Sequence, residues 1–382
     1  MSEHHHLGAV RPMLARDPHE AHRVATPLEL LFDLCFVVAV AQAAAGLHHG
    51  LEHGDVVHAL VGYGLVFFAI WWAWMNFTWF ASAYDCDDVP YRLKVLVQIT
   101  GVLIIAAGVP RAFERSDFSV ATLGYTVMRV GQIAHWLRAA KHNPAHRRTA
   151  RRYALGLAVC QVGWIAFAFL QPPAWIMFFM LLVAAELSVP IWAERHAATP
   201  WHPHHIAERY GCLTLIVLGE CVLSTTLSIQ AAVDEGHLSL RLGALIAAEI
   251  VLLYGMWWIY FDAAPRHLTT RDAFKWGYGH LFIFAAAAAV GSGLSVSIDS
   301  FAGKTHLSEL AISLMVGVPV AVYILGLWAI HVRTSRPTTA NAAFLFGAAL
   351  LIALAFVPWP WSVVGMSAVV ALLVVSLRLA TT

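Results

Sequence analysis

Runs of about twenty apolar residues recur along this chain from Pro27 to Leu379, and each is long enough to cross a bilayer as a helix. That recurrence constrains everything else, because in hydrocarbon the backbone satisfies its own polar groups only as helices or as a closed barrel. The runs fall roughly at 27–47, 57–80, 92–110, 118–138, 152–171, 173–193, 206–228, 240–262, 275–297, 308–331, 340–356 and 360–379. Of 382 residues only 12% are charged, about half the share of a soluble domain. The expected fold is an all-α polytopic membrane protein of about 12 transmembrane helices. A net charge of +1 gives no electrostatic basis for binding nucleic acid, so the lipid bilayer is the expected partner. Self-association of the bundle is left open.

The first 26 residues are polar and read as a cytoplasmic segment; the first apolar run is too long for a cleavable signal peptide. His4, His5 and His6 resemble an expression tag and carry no argument. With the N-terminus in the cytoplasm, 19 of the 24 Lys and Arg residues fall in cytoplasmic segments and four outside, and Arg129 lies within a span. Positive residues mark the cytoplasmic side, so both termini are expected there. The 5–6 connection, Gln171-Pro172-Pro173, and the 11–12 connection, Val357-Pro358-Trp359-Pro360, read as tight hairpins broken by proline.

Six spans return the chain to its starting side, so a duplicated six-span unit would be a parallel repeat. Span 2 ends Trp71-Trp72-Ala73-Trp74-Met75-Asn76 and span 8 ends Trp257-Trp258-Ile259-Tyr260-Phe261-Asp262. Spans 1 and 7 each carry a glutamate near the cytoplasmic start, Glu29 and Glu208. The predicted division is a 1–26 segment, a first repeat at 27–193, a linker at 194–205 and a second repeat at 206–379.

The chemistry concentrates in Thr26-Pro27-Leu28-Glu29-Leu30-Leu31-Phe32-Asp33. Thr26 and Glu29 form a capping box with proline at the first helical position. Asp33 lies a full turn deeper among apolar residues, where no cap explains it, and the four-residue spacing puts both acids on one face. Lipid-facing acids would be costly, so they should face protein or water. Asn76 and Asp262 are expected at similar depth, with Trp72 and Trp258 one turn further in as candidates to pack on the central acids. Trp71, Trp74 and Trp79 point in other directions, and some must belong to an aromatic belt.

Deeper still, Arg129 on span 4 and Glu186 on span 6 stand within about one turn in depth, and an ion pair is expected because an unpaired buried charge is expensive. Glu220 and Glu249 fall in the outer halves of spans 7 and 8; close together they would share a proton or bind a cation. His48, His49, His53 and His58 cluster outside, and His202, His204 and His205 precede span 7. Both groups read as solvated loop clusters able to sense pH, and no metal ligation is assigned to them. His135 and His280 read as satisfied core histidines. The five cysteines have no metal spacing, and no phosphate loop, HExxH, CxxC or nucleophile elbow occurs. No cofactor, catalytic residue or enzymatic activity is expected. The run Arg147, Arg148, Arg151, Arg152 reads as an anchor to anionic lipid.

The segment Thr26–Gln42 together with His205-Ile206-Ala207-Glu208-Arg209-Tyr210-Gly211 through Gly219-Glu220 resembles the bacterial low temperature requirement protein A (LtrA) family over essentially the whole chain. The resemblance falls on Glu29, Phe32, Asp33, Phe36, Glu208, Gly211, Gly219 and Glu220, with Leu31 and Cys35 as mild departures. It implies a multi-pass protein of the bacterial inner membrane. The family name describes a growth phenotype and supplies no chemistry. A weaker likeness is to lysosomal and bacterial potassium channels of six-plus-six spans, whose first helix carries F-S-D; here Phe32-Asp33 has no serine, and Gly211-Cys212 stands in the second repeat.

The function expected on these grounds is passage of a small solute or ion, with proton coupling. Glu29, Asp33 and Glu208 would form a cytoplasmic mouth and Glu220 a deep proton or cation site. A cation channel, a membrane-embedded enzyme or envelope assembly factor, and a non-transport role in growth at low temperature are the competing readings.

Overall fold

The structure, a computed structural model, describes residues 10–20, 23–170, 174–263 and 272–379. The hairpin at Gln171-Pro172-Pro173 lies outside the described residues, as do Arg266 and Arg271, two of the 19 basic residues expected on the cytoplasmic side. Twelve helices fall on the twelve apolar runs: α1 (Pro27–Glu52), α2 (Val56–Tyr84), α3 (Val89–Arg115), α4 (Ser119–His142), α5 (Arg147–Phe167), α6 (Ala174–Ala193), α7 (Pro203–Asp234), α8 (Leu240–Ala263), α9 (Ala273–Asp299), α10 (Glu309–Ser335), α11 (Thr338–Leu354) and α12 (Trp361–Leu379). No strand occurs among the described residues.

Nine of these, among the described residues, are long and apolar enough to cross a membrane, which makes this a membrane-type protein. α4 and α5 fall short through their polar content: α4 carries Arg129, Gln132 and His135, and α5 opens on Arg147, Arg148, Arg151 and Arg152. α11 is apolar but shorter. α1 runs further than the hydropathy suggested, to Glu52, so His48 and His49 stand on helix rather than in a loop.

The chain divides into two compact units that interleave along the sequence. One holds the chain up to Ala39 with Ala69–Arg209; the other holds Val40–Phe68 with the chain from Tyr210 onward. In the first, α3 and α4 pack backbone to backbone. A Cβ on Gly101 would lie 2.6 Å from the Gly124 carbonyl oxygen, and one on Gly124 would lie 2.6 Å from that of Gly101. Small residues at such a crossing are how membrane helices gain dispersion contacts where the hydrophobic effect between helices is absent. In the second unit α9 is the most enclosed of the long apolar helices, with Gly293 seated against the Met315 backbone of α10. α10 widens into a π-turn at Trp328–Val332 before its last turn.

Candidate functional site

The capping box forms as its residues dictate: Thr26 N–H donates to Glu29 Oε2 at 2.7 Å, and Glu29 N–H donates to Thr26 Oγ1 at 3.3 Å. Glu29 nevertheless does more than cap. Its carboxylate meets Arg209 Nη1 at 3.2 Å, His205 Nε2 at 3.2 Å and Arg23 Nη2 at 3.5 Å. One turn along α1, Asp33 takes a two-pronged guanidinium contact, from Arg209 Nε at 2.7 Å and Arg209 Nη2 at 2.5 Å. Trp74 Nε1 donates to Asp33 Oδ1 at 2.7 Å. The guanidinium fork matches carboxylate geometry, and planar bidentate pairs of this kind are the strong ones.

Two matched helical spacings build this arrangement. Glu29 and Asp33 are one turn apart on α1, and His205 and Arg209 are one turn apart on α7, so each pair shares a face. His205 meets Glu29 and Arg209 meets Asp33 across the same separation of 176 residues. The glutamate of α7 is not the partner. Glu208 is half-buried and its Oε2 accepts from the Ala25 N–H at 3.1 Å, which ties the chain ahead of α1.

The network extends beyond the helices. Arg23, only 3% exposed, reaches Asp85 at 3.7 Å and donates to the Ala81 carbonyl at 3.1 Å. Asp85 stands in the connection between α2 and α3, buried, with Arg16 at 3.9 Å. Burial, with the nearby Glu29 charge, pushes the Asp85 carboxyl up to about 6 against the opposing pull of Arg23. Two residues on, Asp88 behaves oppositely. Burial works to raise it, but Arg138 and the Arg11 and Tyr91 N–H groups donate to it and hold it below the usual carboxylate range. Asp88 also caps α3.

The result is a cluster of three buried carboxylates, Glu29, Asp33 and Asp85, against two buried guanidiniums, Arg23 and Arg209, and the buried imidazole of His205; the half-buried Arg16 at its edge is already paired with Glu20 at 2.7 Å. Its charge balances only when one proton sits on His205 or on a carboxyl. Arg23 and Arg209 are two of the 19 basic residues that the positive-inside pattern puts in cytoplasmic segments, and both are buried. The signal that could have found Arg209 is the H-x-x-x-R spacing of α7 set beside E-x-x-x-D of α1.

The other predicted residues sort differently. Arg129 and Glu186 meet at 2.8 Å, both buried. Glu186 also accepts from Trp72 Nε1 at 2.9 Å and Trp164 Nε1 at 3.0 Å, while Arg129 donates to Tyr125 Oη at 2.8 Å. Trp72 therefore packs on Glu186, and the indole on the central acid is Trp74 instead. The two are 200° apart around α2, so they necessarily face different neighbours. Asn76 donates to the Trp72 carbonyl and lines a cavity of about one water molecule with Gln98, Tyr125, Arg129 and Gln132.

Trp258 is 41% exposed and packs on no buried acid; its Nε1 donates to Asp262, which pairs with Arg378 at 2.6 Å. Asp262 is thus part of a surface tie between α8 and α12. Glu220 is half-buried and Glu249 is 1% exposed with neither oxygen hydrogen-bonded among the described residues, and no interaction there joins the two. His280 is a satisfied core histidine, bonding the Trp276 carbonyl at 2.8 Å and Tyr260 at 3.1 Å, whereas His135 departs from that reading: it is buried among aromatic rings with neither ring nitrogen hydrogen-bonded among the described residues.

The model of the family described as Bacterial low temperature requirement A protein (LtrA) matches residues 24–377, which takes in every member of the buried cluster except Arg23. The chain belongs to the LtrA family. An uncharacterized protein of Rhizobium meliloti (strain 1021) is similar at 25% identity over 291 residues, covering 70% of this chain and 69% of the relative. No solved structure matches. LtrA membership accounts for the multi-pass helical architecture and leaves the chemistry to be read from the cluster.

Proposed function

We propose that this LtrA protein is a carrier in the bacterial inner membrane that moves a small solute or ion, and that the Glu29–Asp33–Asp85–Arg23–Arg209–His205 cluster is its proton-responsive element. The observation that carries the proposal is the uneven charge of that cluster: three buried carboxylates face two guanidiniums and one imidazole. Ionisable groups placed inside membrane helices are costly, and they are retained where they do work. A cluster that is neutral only with one proton bound changes its internal attraction each time that proton comes or goes, and so can bias a helix-end rearrangement.

The cation-channel reading is less well supported, because the acid that would line such a pore is capped by Arg209 and is 0% exposed. In the proposed orientation both termini are cytoplasmic, and α1 and α7 start from that side. The duplicated six-helix ancestry remains part of this proposal, carried by the paired tryptophan-rich ends of α2 and α8. Glu220 is the further titratable candidate.

Proteoliposomes with an entrapped pH dye test the reading. Imposed pH and potassium-diffusion gradients are expected to drive proton movement with Na⁺, K⁺ or an added solute in the parent, and this movement is expected to fall by at least about tenfold in Asp33→Asn, with a cooperative thermal melt as the check that the variant is folded. Currents that follow voltage and ignore pH would favour the channel. Absence of any flux under either gradient overturns transport. Glu220→Gln asks whether coupling also needs the deeper acid.

A further inference from the structure

At the end of α1 remote from Pro27 the chain reads His48-His49-Gly50-Leu51-Glu52-His53. The i, i+3, i+4 spacing puts His49, Glu52 and His53 on one helical face. The helical hydrogen bonding continues through them, with His53 N–H donating to the His49 carbonyl at 3.2 Å. One ligand atom from each of the three lies within 4.8 Å of the other two. We infer that His49, Glu52 and His53 form a binding site for a divalent transition-metal ion of the zinc class.

Four observations support it. Zinc takes imidazole nitrogen and carboxylate oxygen at about 2.0–2.2 Å, so its donors stand about 3.4 Å apart, a closing motion that side-chain rotation supplies without moving the helix. The His53 ring is already oriented: its Nδ1 is 2.8 Å from the His49 carbonyl, which leaves Nε2 for the ion. Metal-bound histidines commonly make this outer bond, because it fixes the tautomer and raises the basicity of the ligating nitrogen. The His49 and His53 rings lie 4.2 Å apart at their centroids, close enough for one nitrogen of each to serve the same ion. Finally, the ion would sit beside the last carbonyls of α1, the negative end of the helix dipole.

The neighbours do not compete. His48 is engaged by Asp299 at 2.8 Å, and Lys304, which feels the Glu52 charge, is held by Glu235 at 2.9 Å. Two nitrogens and one oxygen favour zinc-class ions over calcium or magnesium, which prefer all-oxygen shells. His49 and His53 are exposed and Glu52 is half-buried, so three protein ligands leave the remaining position open to water or exchange.

The test uses the full chain in detergent with His4, His5 and His6 replaced by alanine, which removes a competing histidine triplet. Zinc chloride is titrated calorimetrically, and cobalt(II) absorption reports the ligand set. The parent is expected to bind one zinc per chain with a rise in Tm. His49→Ala/His53→Ala loses that equivalent, Glu52→Gln weakens it by about tenfold or more, and His196→Ala, at an exposed histidine elsewhere, leaves it unchanged. All variants keep the metal-free Tm. No bound equivalent in the parent, or equal binding by either site variant, overturns the assignment.

Discussion

Two buried arginines of the same unit make opposite use of their charge. Arg129 forms a one-to-one pair with Glu186, and Trp72, Trp164 and Tyr125 complete the hydrogen bonding around it. Arg209 stands in a cluster where buried carboxylates outnumber buried guanidiniums, and two members of that cluster, His205 and Asp85, can each take a proton. A balanced pair with both carboxylate oxygens engaged holds one arrangement across pH. An unbalanced cluster holds an arrangement that depends on one proton. The first is a structural fastener and the second is a candidate switch, although both are buried Arg–carboxylate pairs within membrane helices.

The comparison breaks most sharply on removal of each arginine. Arg129→Met and Arg209→Met should each cost about 3–5 kcal/mol, because each strands a buried carboxylate. The second substitution separates them. Arg129→Met/Glu186→Gln removes both charges and keeps an acceptor for one of the two indoles, so a good part of the loss returns. Arg209→Met/Asp33→Asn still leaves Glu29 and Asp85 with Arg23 as their one fully buried guanidinium, helped only by His205 and the half-buried Arg16, so less returns. Denaturation midpoints of the four variants check this; equal recovery at the two sites would erase the distinction.

A smaller effect sharpens the electrostatic half. The Asp85 carboxyl sits near 6, above its ordinary 3.8, so the folded state holds that proton more tightly than the unfolded chain does. The associated stability is fully present below about pH 4 and is lost as pH rises through about 6. Asp85→Asn has no such loss. The Tm of Asp85→Asn minus that of the parent should therefore grow between about pH 4 and pH 7, by at most ~3 kcal/mol in stability. A constant difference across that window would mean Asp85 does not hold the proton.

The smallest expected effect concerns the capping box, which both readings of Glu29 share. Thr26→Ala removes one acceptor at the start of α1 and should cost about 1 kcal/mol. Glu29 stays held by His205 and Arg209, so the pH dependence of stability keeps its shape. A changed pH profile in Thr26→Ala would show that the cap, and not the ion pairs, positions Glu29.

Local rules carried the sequence a long way. The apolar runs located twelve helices, the T-x-x-E spacing gave the cap at α1, and helical depth along α4 and α6 was enough to bring Arg129 and Glu186 to one level. What stayed hidden depends on rotation and on chain crossing. Glu208 and Arg209 are adjacent residues 100° apart on a helix, and only the packing decides that the arginine faces Asp33. The same holds for Trp72 against Trp74. Asp85 and Arg23 lie outside the apolar runs, where hydropathy assigns solvent; the polypeptide ahead of α1 folds back over the α2–α3 connection and buries them. The reach of α1 to Glu52 was hidden because His48, His49, Glu52 and His53 look like a loop on any hydropathy scale, although their spacing is helical.

Isotope-edited infrared difference spectroscopy between about pH 5 and pH 7.5 tests the central claim most directly, since it reads the proton on the cluster itself. A protonated-carboxyl band that disappears as the pH is raised, and that is missing from Asp85→Asn while remaining in Glu186→Gln, is the predicted result. Absence of any pH-dependent carboxyl or imidazolium band in the parent over that interval would contradict the account of the Arg209 cluster as a proton-responsive element, and persistence of the carboxyl band in Asp85→Asn would contradict Asp85 as the proton's site.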